Sequence, residues 1–127
     1  MMPYKILIVE DNRSNRTLLC DILMYNGYEV SVAANGQEGL TLARELMPDL
    51  ILMDIHLPDL DGMTAGRILK GDPLTSRLKI IALTSFVMHG DLEKIMAAGF
   101  DNYLSKPIST RELPGLVKQW LDWEDTP

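Results

Sequence analysis

Five short apolar runs recur along the chain, and each is followed by a stretch whose apolar residues fall at helical spacing. No other feature limits the fold so strongly. The runs are residues 5–9 (KILIV), 28–33 (YEVSVA), 50–53 (LILM), 79–83 (KIIAL) and a weaker 102–104. Unbroken apolar runs of this length suit strands covered on both faces. In the second run Val30 and Val32 instead alternate with polar neighbours, as in a half-exposed edge strand.

Helical signals fill the gaps. Leu18, Leu19, Ile22 and Leu23 share one face, and Asn26-Gly27 supplies a left-handed stop. Asn35-Gly-Gln-Glu38 resembles a capping box opening a helix through Leu40 and Ala43, with Pro48 just beyond its end. A third helix over residues 63–70 ends at Gly71, with Asp59 and Asp61 as its caps. A fourth, through Leu92, Ile95 and Met96, ends at Gly99. Ser109-Thr-Arg-Glu112 is a second capping box. The helix it opens carries Leu113, Leu116, Val117, Trp120 and Leu121, with Pro114 in its first turn. A β-α unit repeated five times predicts an α/β fold: a five-stranded parallel sheet with helices on both faces. The flavodoxin-like order 2-1-3-4-5 fits best, with the second strand at the rim.

Size and charge narrow the function. The chain has 127 residues, enough for one domain with its core over about 5–121 and a polar tail over 122–127. No apolar run approaches the roughly 20 residues that cross a bilayer, and no secretory leader opens the chain, so a cytoplasmic protein is expected. A net charge of −6 argues against nucleic-acid binding. The single cysteine, Cys20, lies among Leu18, Leu19 and Ile22 and reads as a buried structural thiol.

In parallel sheets of this kind ligands bind at the carboxyl ends of the strands. Glu10-Asp11 follow the first strand, Asp54 the third, Thr84-Ser85 the fourth and Lys106-Pro107 the fifth, whereas the second strand delivers only Ala33-Ala34-Asn35. Asp54 is therefore a carboxylate held at a shared edge by a buried strand. Like charges at about 4 Å cost on the order of 4 kcal/mol per pair at an effective dielectric near 20, so clustered carboxylates call for a cation. An all-oxygen set without a His or Cys pair at ligand spacing points to Mg²⁺. With Lys106 and the Thr84 hydroxyl opposite, the edge forms a cradle for a phosphoryl group, and Asp54 can act as nucleophile.

These residues carry a family resemblance. Glu10-Asp11, Asp54 in "LMDIHLPDLDG", Thr84 in "IIALTS" and Lys106-Pro107 in "YLSKPI" resemble, motif by motif, the receiver domains of two-component response regulators, over about residues 5–121. "VEDNRSN" and "GFDNYLSKPIS" are most similar to stand-alone receivers of the DivK type and to receivers of hybrid kinases. The resemblance implies that Asp54 takes a phosphoryl group from a sensor histidine kinase or a histidine phosphotransfer protein. It implies that Asp11, Asp54 and the His56 backbone carbonyl bind Mg²⁺, with Glu10 acting through water. Lys106 would bridge Asp54 and a phosphoryl oxygen, Thr84 would swing in to that oxygen, and Tyr103 would turn inward behind it. The Lys106-Pro107 bond is expected to be cis. The output partner would bind the face of the fourth helix, fifth strand and fifth helix, and the kinase the first helix near Asn15, Arg16 and Leu19. The expected protein is a signalling switch that catalyses only its own phosphorylation and dephosphorylation. It would be a monomer or weak dimer, without nucleic-acid or membrane partners. A receiver excised from a hybrid kinase is the alternative.

Each residue also has a plainer reading: Asp54 as a turn residue, Thr84 as a strand-end threonine, Lys106 as a solvated lysine, Tyr103 as packing, Asp11 as a cap of the first helix. The His56 side chain is expected beside the entrance of the site, as is Phe86; His89 is read as surface, Trp120 as core and Trp123 as exposed. It is the coincidence at one sheet edge that favours function. A flavin-binding relative of the fold would need a Ser/Thr/Gly-rich loop where Glu10-Asp11-Asn12-Arg13 stands, and G-x-G-x-x-G is absent. A phosphatase with an aspartyl nucleophile would place it on the first strand.

Overall fold

The computed structural model describes residues 3–85 and 91–123. Strands β1 (Lys5–Val9), β2 (Glu29–Ala33), β3 (Leu50–Asp54), β4 (Ile80–Thr84) and β5 (Asn102–Ser105) alternate with helices α1 (Arg13–Tyr25), α2 (Gly36–Leu46), α3 (Gly62–Gly71), α4 (Asp91–Ala97) and α5 (Leu113–Asp122). All strand pairs are parallel and the order is β2-β1-β3-β4-β5, as expected. Phe86, His89 and residues 124–127 of the expected tail lie outside the described residues.

The apolar runs are continuous because the central strands are covered twice. Leu7, Val9, Ile51, Met53, Ile80 and Ala82 face one way, against residues of α2, α3 and α4 such as Leu40, Leu69 and Ile95. Ile6, Ile8, Leu50, Leu52, Ile81 and Leu83 face the other way, against residues of α1 and α5. Alternate residues of one strand thus feed two cores. The rim strands β2 and β5 are only partly buried.

Helix α1 ends in a Schellman turn: Gly27 has φ +90°, its amide donates to the Met24 carbonyl, and the Tyr28 amide donates to the Leu23 carbonyl. Several expectations need correction. Leu18 is exposed and Ile22 half-buried, so the buried stripe of α1 is Leu19 and Leu23. Cys20 lies at the margin of that stripe, half-buried, with its thiol 3.4 Å from Met24 Sδ; it is not a core thiol. Met96 is likewise exposed. Helix α5 begins at Leu113, later than the Ser109 box suggests. Ser109 Oγ accepts from the Glu112 amide at 3.3 Å and closes a turn ahead of the helix. Trp120 is in the core and Trp123 exposed, as expected.

Candidate phosphoacceptor site

Parallel strands ending in register bring the polar residues together. Asp54 closes β3 and pairs in register with Leu83, while Thr84 closes β4 opposite Ser105. The Lys106 amide donates to the Thr84 carbonyl at 2.8 Å, and the Glu10 amide to the Ala33 carbonyl at 3.0 Å. These backbone bonds place the first residues beyond β1 and β5 at the same edge as Asp54. Glu10, Asp54 and Thr84 are buried, while Asp11 is exposed. The Lys106-Pro107 peptide bond is cis.

At the centre is one ammonium between two carboxylates. Lys106 Nζ lies 2.7 Å from Asp54 Oδ2 and 2.5 Å from Glu10 Oε1. Asp54 Oδ1 accepts from the His56 amide at 2.7 Å. Asn15 Nδ2 donates to Glu10 Oε1 at 3.1 Å. Each Asp54 oxygen thus takes one of these bonds.

The charge balance is uneven. Burial, and then the hydrogen bond to Asp54, push the Glu10 carboxyl up to about 7 against the pull of Lys106. Burial acts upward on Asp54 too, but hydrogen bonds with Glu10, Lys106 and the His56 amide outweigh it and hold the acid below its ordinary value. Burial lowers the proton affinity of Lys106, yet Asp54 and then Glu10 raise it overall. One lysine serves two buried carboxylates, and their opposite shifts favour a proton on Glu10 over one on Asp54.

Carboxylate oxygens of Glu10, Asp11 and Asp54 lie within 4.8 Å of one another. An all-oxygen donor set of this size, partly buried and with one exposed member, fits a hard divalent cation. His56 is exposed, its side chain lining a cleft with Asp11, Met63 and Asp91. Thr84 is fully buried and Tyr103 half-buried at the margin of the α2–α4 core.

The structure corrects three readings and adds one. Asp11 does not cap α1: Asn12 does, its Oδ1 accepting from the Asn15 amide at 3.0 Å. Arg16 is a brace, its guanidinium donating to the carbonyls of Glu10 (2.9 Å) and Asp11 (2.8 Å). Leu19 is fully buried and unavailable for docking. Asp61 caps α3, accepting from the Met63 amide at 2.9 Å, but Asp59 binds the start of α2 instead. No sequence pattern singles out Gly62. A Cβ there would stand 2.2 Å from the Asp54 carbonyl oxygen and 2.5 Å from Ile55 Cα, so only glycine lets α3 begin so close to Asp54.

Comparison with known proteins identifies the family and the fold. Residues 6–118 match the response regulator receiver domain. The polar-differentiation response regulator DivK of Brucella anthropi is 44% identical over 120 residues, 94% of this chain and 98% of that protein. The receiver domain of a Pseudomonas aeruginosa sensor histidine kinase, solved with a magnesium ion coordinated in its active-site cleft, is 37% identical. Its TM-score is 0.88, covering 96% of this chain and all of that one. CheY4, a chemotaxis protein of Vibrio cholerae, superposes with TM-score 0.87 at 26% identity, covering 93% and 98% of the two chains. The chain belongs to the response regulator receiver domain family, the signalling receivers of two-component systems.

Proposed function

We propose that this receiver accepts a phosphoryl group on Asp54 from the phosphohistidine of a sensor histidine kinase or a histidine phosphotransfer protein. The carrying observation is the Asp54 carboxylate itself, buried at the strand edge, 2.7 Å from Lys106 Nζ and beside two further carboxylates. A carboxylate oxygen of Asp54 attacks phosphorus, a P–O bond forms, and the P–N bond to the partner's imidazole breaks with its electron pair leaving on nitrogen.

Asp11, Asp54 and the His56 backbone carbonyl would hold Mg²⁺, with Glu10 contributing through water; the magnesium-bearing Pseudomonas receiver supports this reading. Bound Mg²⁺ supplies positive charge against the phosphoryl oxygens. Lys106 then trades its Glu10 partner for a phosphoryl oxygen while keeping Asp54. Thr84, at the end of β4, moves its hydroxyl toward the new group, and Tyr103 turns inward. That change is read on the face of α4, β5 and α5, where a groove of about 400 Å³ is lined by Tyr103, Ser105, Pro107, Leu116 and Trp120. The protein acts as a single cytoplasmic receiver, catalysing only its own phosphorylation and dephosphorylation. The match to DivK over 98% of that regulator's length supports a DivK-like signalling role.

Intact mass after incubation with Mg²⁺ and a small phosphoramidate tests the reading. One phosphoryl group should be added to the wild type and none to Asp54→Asn. Labelling of the variant to the same level would overturn the assignment.

A further inference from the structure

The segment carrying His56 from the end of β3 to the start of α3 is held at several places, among them a bond from the Ile55 amide to the Leu83 carbonyl at 3.1 Å. At its root the His56 amide donates to Asp54 Oδ1. At its far end the Gly62 amide donates to the Ile55 carbonyl at 3.2 Å. Between them Asp59 reaches out of its own loop: Oδ1 accepts from the Gly36 amide at 2.7 Å and Oδ2 from the Gln37 amide at 3.0 Å. Helix α2 already has an N-cap, Asn35, whose Oδ1 accepts from the Glu38 amide at 2.9 Å. Asp59 is thus a second cap, delivered from 23 and 22 positions along the chain.

Gly36 shows the same junction from the other side. A Cβ there would stand 2.7 Å from Leu60 Cβ and 2.9 Å from the Leu60 carbonyl oxygen, so the helix start and the loop are in direct contact. Helix α2 in turn presses on β1: a Cβ on Gly39 would meet Val9 Cγ1 at 2.8 Å, and Val9 immediately precedes Glu10. A continuous rigid path therefore runs from the loop through Asp59 and α2 to the strand that carries Glu10 and Asp11.

We infer that Asp59 is a positioning residue for the phosphoacceptor site. Its bonds to Gly36 and Gln37 fix the loop over 55–61, and with it the His56 carbonyl, relative to the carboxylates beyond β1. Charge-assisted bonds from a carboxylate to amides at a helix start are short and directional, which suits a clamp. Outer partners of this kind govern how well a metal site is formed. The inference rests on the proposed role of the His56 carbonyl toward Mg²⁺.

The test compares full-length wild type, Asp59→Ala and Asn35→Ala. Mg²⁺ binding is followed by calorimetry, and amide hydrogen exchange is measured without metal. Both variants remove one cap of α2, so a role limited to helix capping would affect them alike. Asp59→Ala should weaken Mg²⁺ binding about tenfold and speed exchange at His56 and Gly62. Asn35→Ala should leave Mg²⁺ binding near wild type and speed exchange only within α2. Asp59→Asn keeps one oxygen acceptor and should fall between wild type and Asp59→Ala; it also serves if the alanine variant does not fold. Equal weakening by Asp59→Ala and Asn35→Ala, or wild-type binding and exchange in Asp59→Ala, would overturn the inference. If the wild type itself takes up no Mg²⁺, the proposed metal site fails instead, and the exchange data still judge the clamp.

Discussion

The two ends of the sheet both use lysine, in opposite ways. At the amino end, Lys70 Nζ meets the Asp101 carboxylate at 2.9 Å and the Leu78 carbonyl at 2.7 Å, and that carboxylate also accepts from the Ile80 amide at 2.8 Å. Lys79 Nζ donates to the carbonyls of Trp120 (2.9 Å) and Leu121 (3.3 Å) in the last turn of α5 and to that of Trp123, its C-cap. There each cation meets one carboxylate or neutral carbonyls, and the networks close on themselves. At the carboxyl end, Lys106 stands between two buried carboxylates with Asp11 beside them. A balanced polar network holds elements together; an unbalanced one is the kind of arrangement found at functional sites.

The sharpest contrast lies within α3, which has a glycine at each end. Gly62→Ala should cost about 3 kcal/mol, because its Cβ would strike the Asp54 and Ile55 backbone. Gly71→Ala meets open space and should be neutral or stabilising by at most about 1 kcal/mol. Urea midpoints measure both, and equal effects would remove the distinction between a crowded site end and a permissive far end.

The lysines come next. Lys106→Met should slow phosphorylation from a small donor by on the order of 100-fold, the usual loss when one donor to a reacting centre is removed. Lys79→Met should leave that rate unchanged and cost about 1–2 kcal/mol of stability as the α5 carbonyls lose their partner. A stopped time course and a denaturation curve on each variant separate the two.

Taken per pH unit, the smallest effect is that of pH. Glu10 binds its proton more tightly folded than unfolded, with a carboxyl near 7 against an ordinary value of 4.5. Between those values the folded chain holds more protons, so this group's stabilising contribution is full below pH 4.5 and is lost as pH rises through about 7. The slope is at most about 1.4 kcal/mol per pH unit. Asp54, whose acid is held low, acts oppositely, its contribution lost only as pH falls through that lowered value. Thermal melts of metal-free protein from pH 5 to 8 should therefore decline for wild type more steeply than for Glu10→Gln. Parallel curves would assign the decline elsewhere.

Much of this molecule follows from local pattern. Runs such as LILM and IIAL must be buried on both faces, so their order along the chain is enough to build the five-stranded sheet. The residues at the carboxyl ends of β1, β3, β4 and β5 then fall at one edge, which is why Glu10, Asp54, Thr84 and Lys106 are legible as a group in the sequence. Local pattern fails where a partner is distant in sequence or where helical phase is close. Asp59 and Asp61 both precede α3 and both look like its caps. Only folding brings α2 within 2.7 Å of Asp59 and gives each aspartate a different helix. Leu18 and Leu19 are neighbours in one apolar stretch, yet about 100° of helical rotation exposes the first and buries the second. The sharing of Lys106 by two carboxylates, and the upward push on the Glu10 carboxyl, depend on distances between strands and on exclusion of water, and these exist only once the sheet has closed.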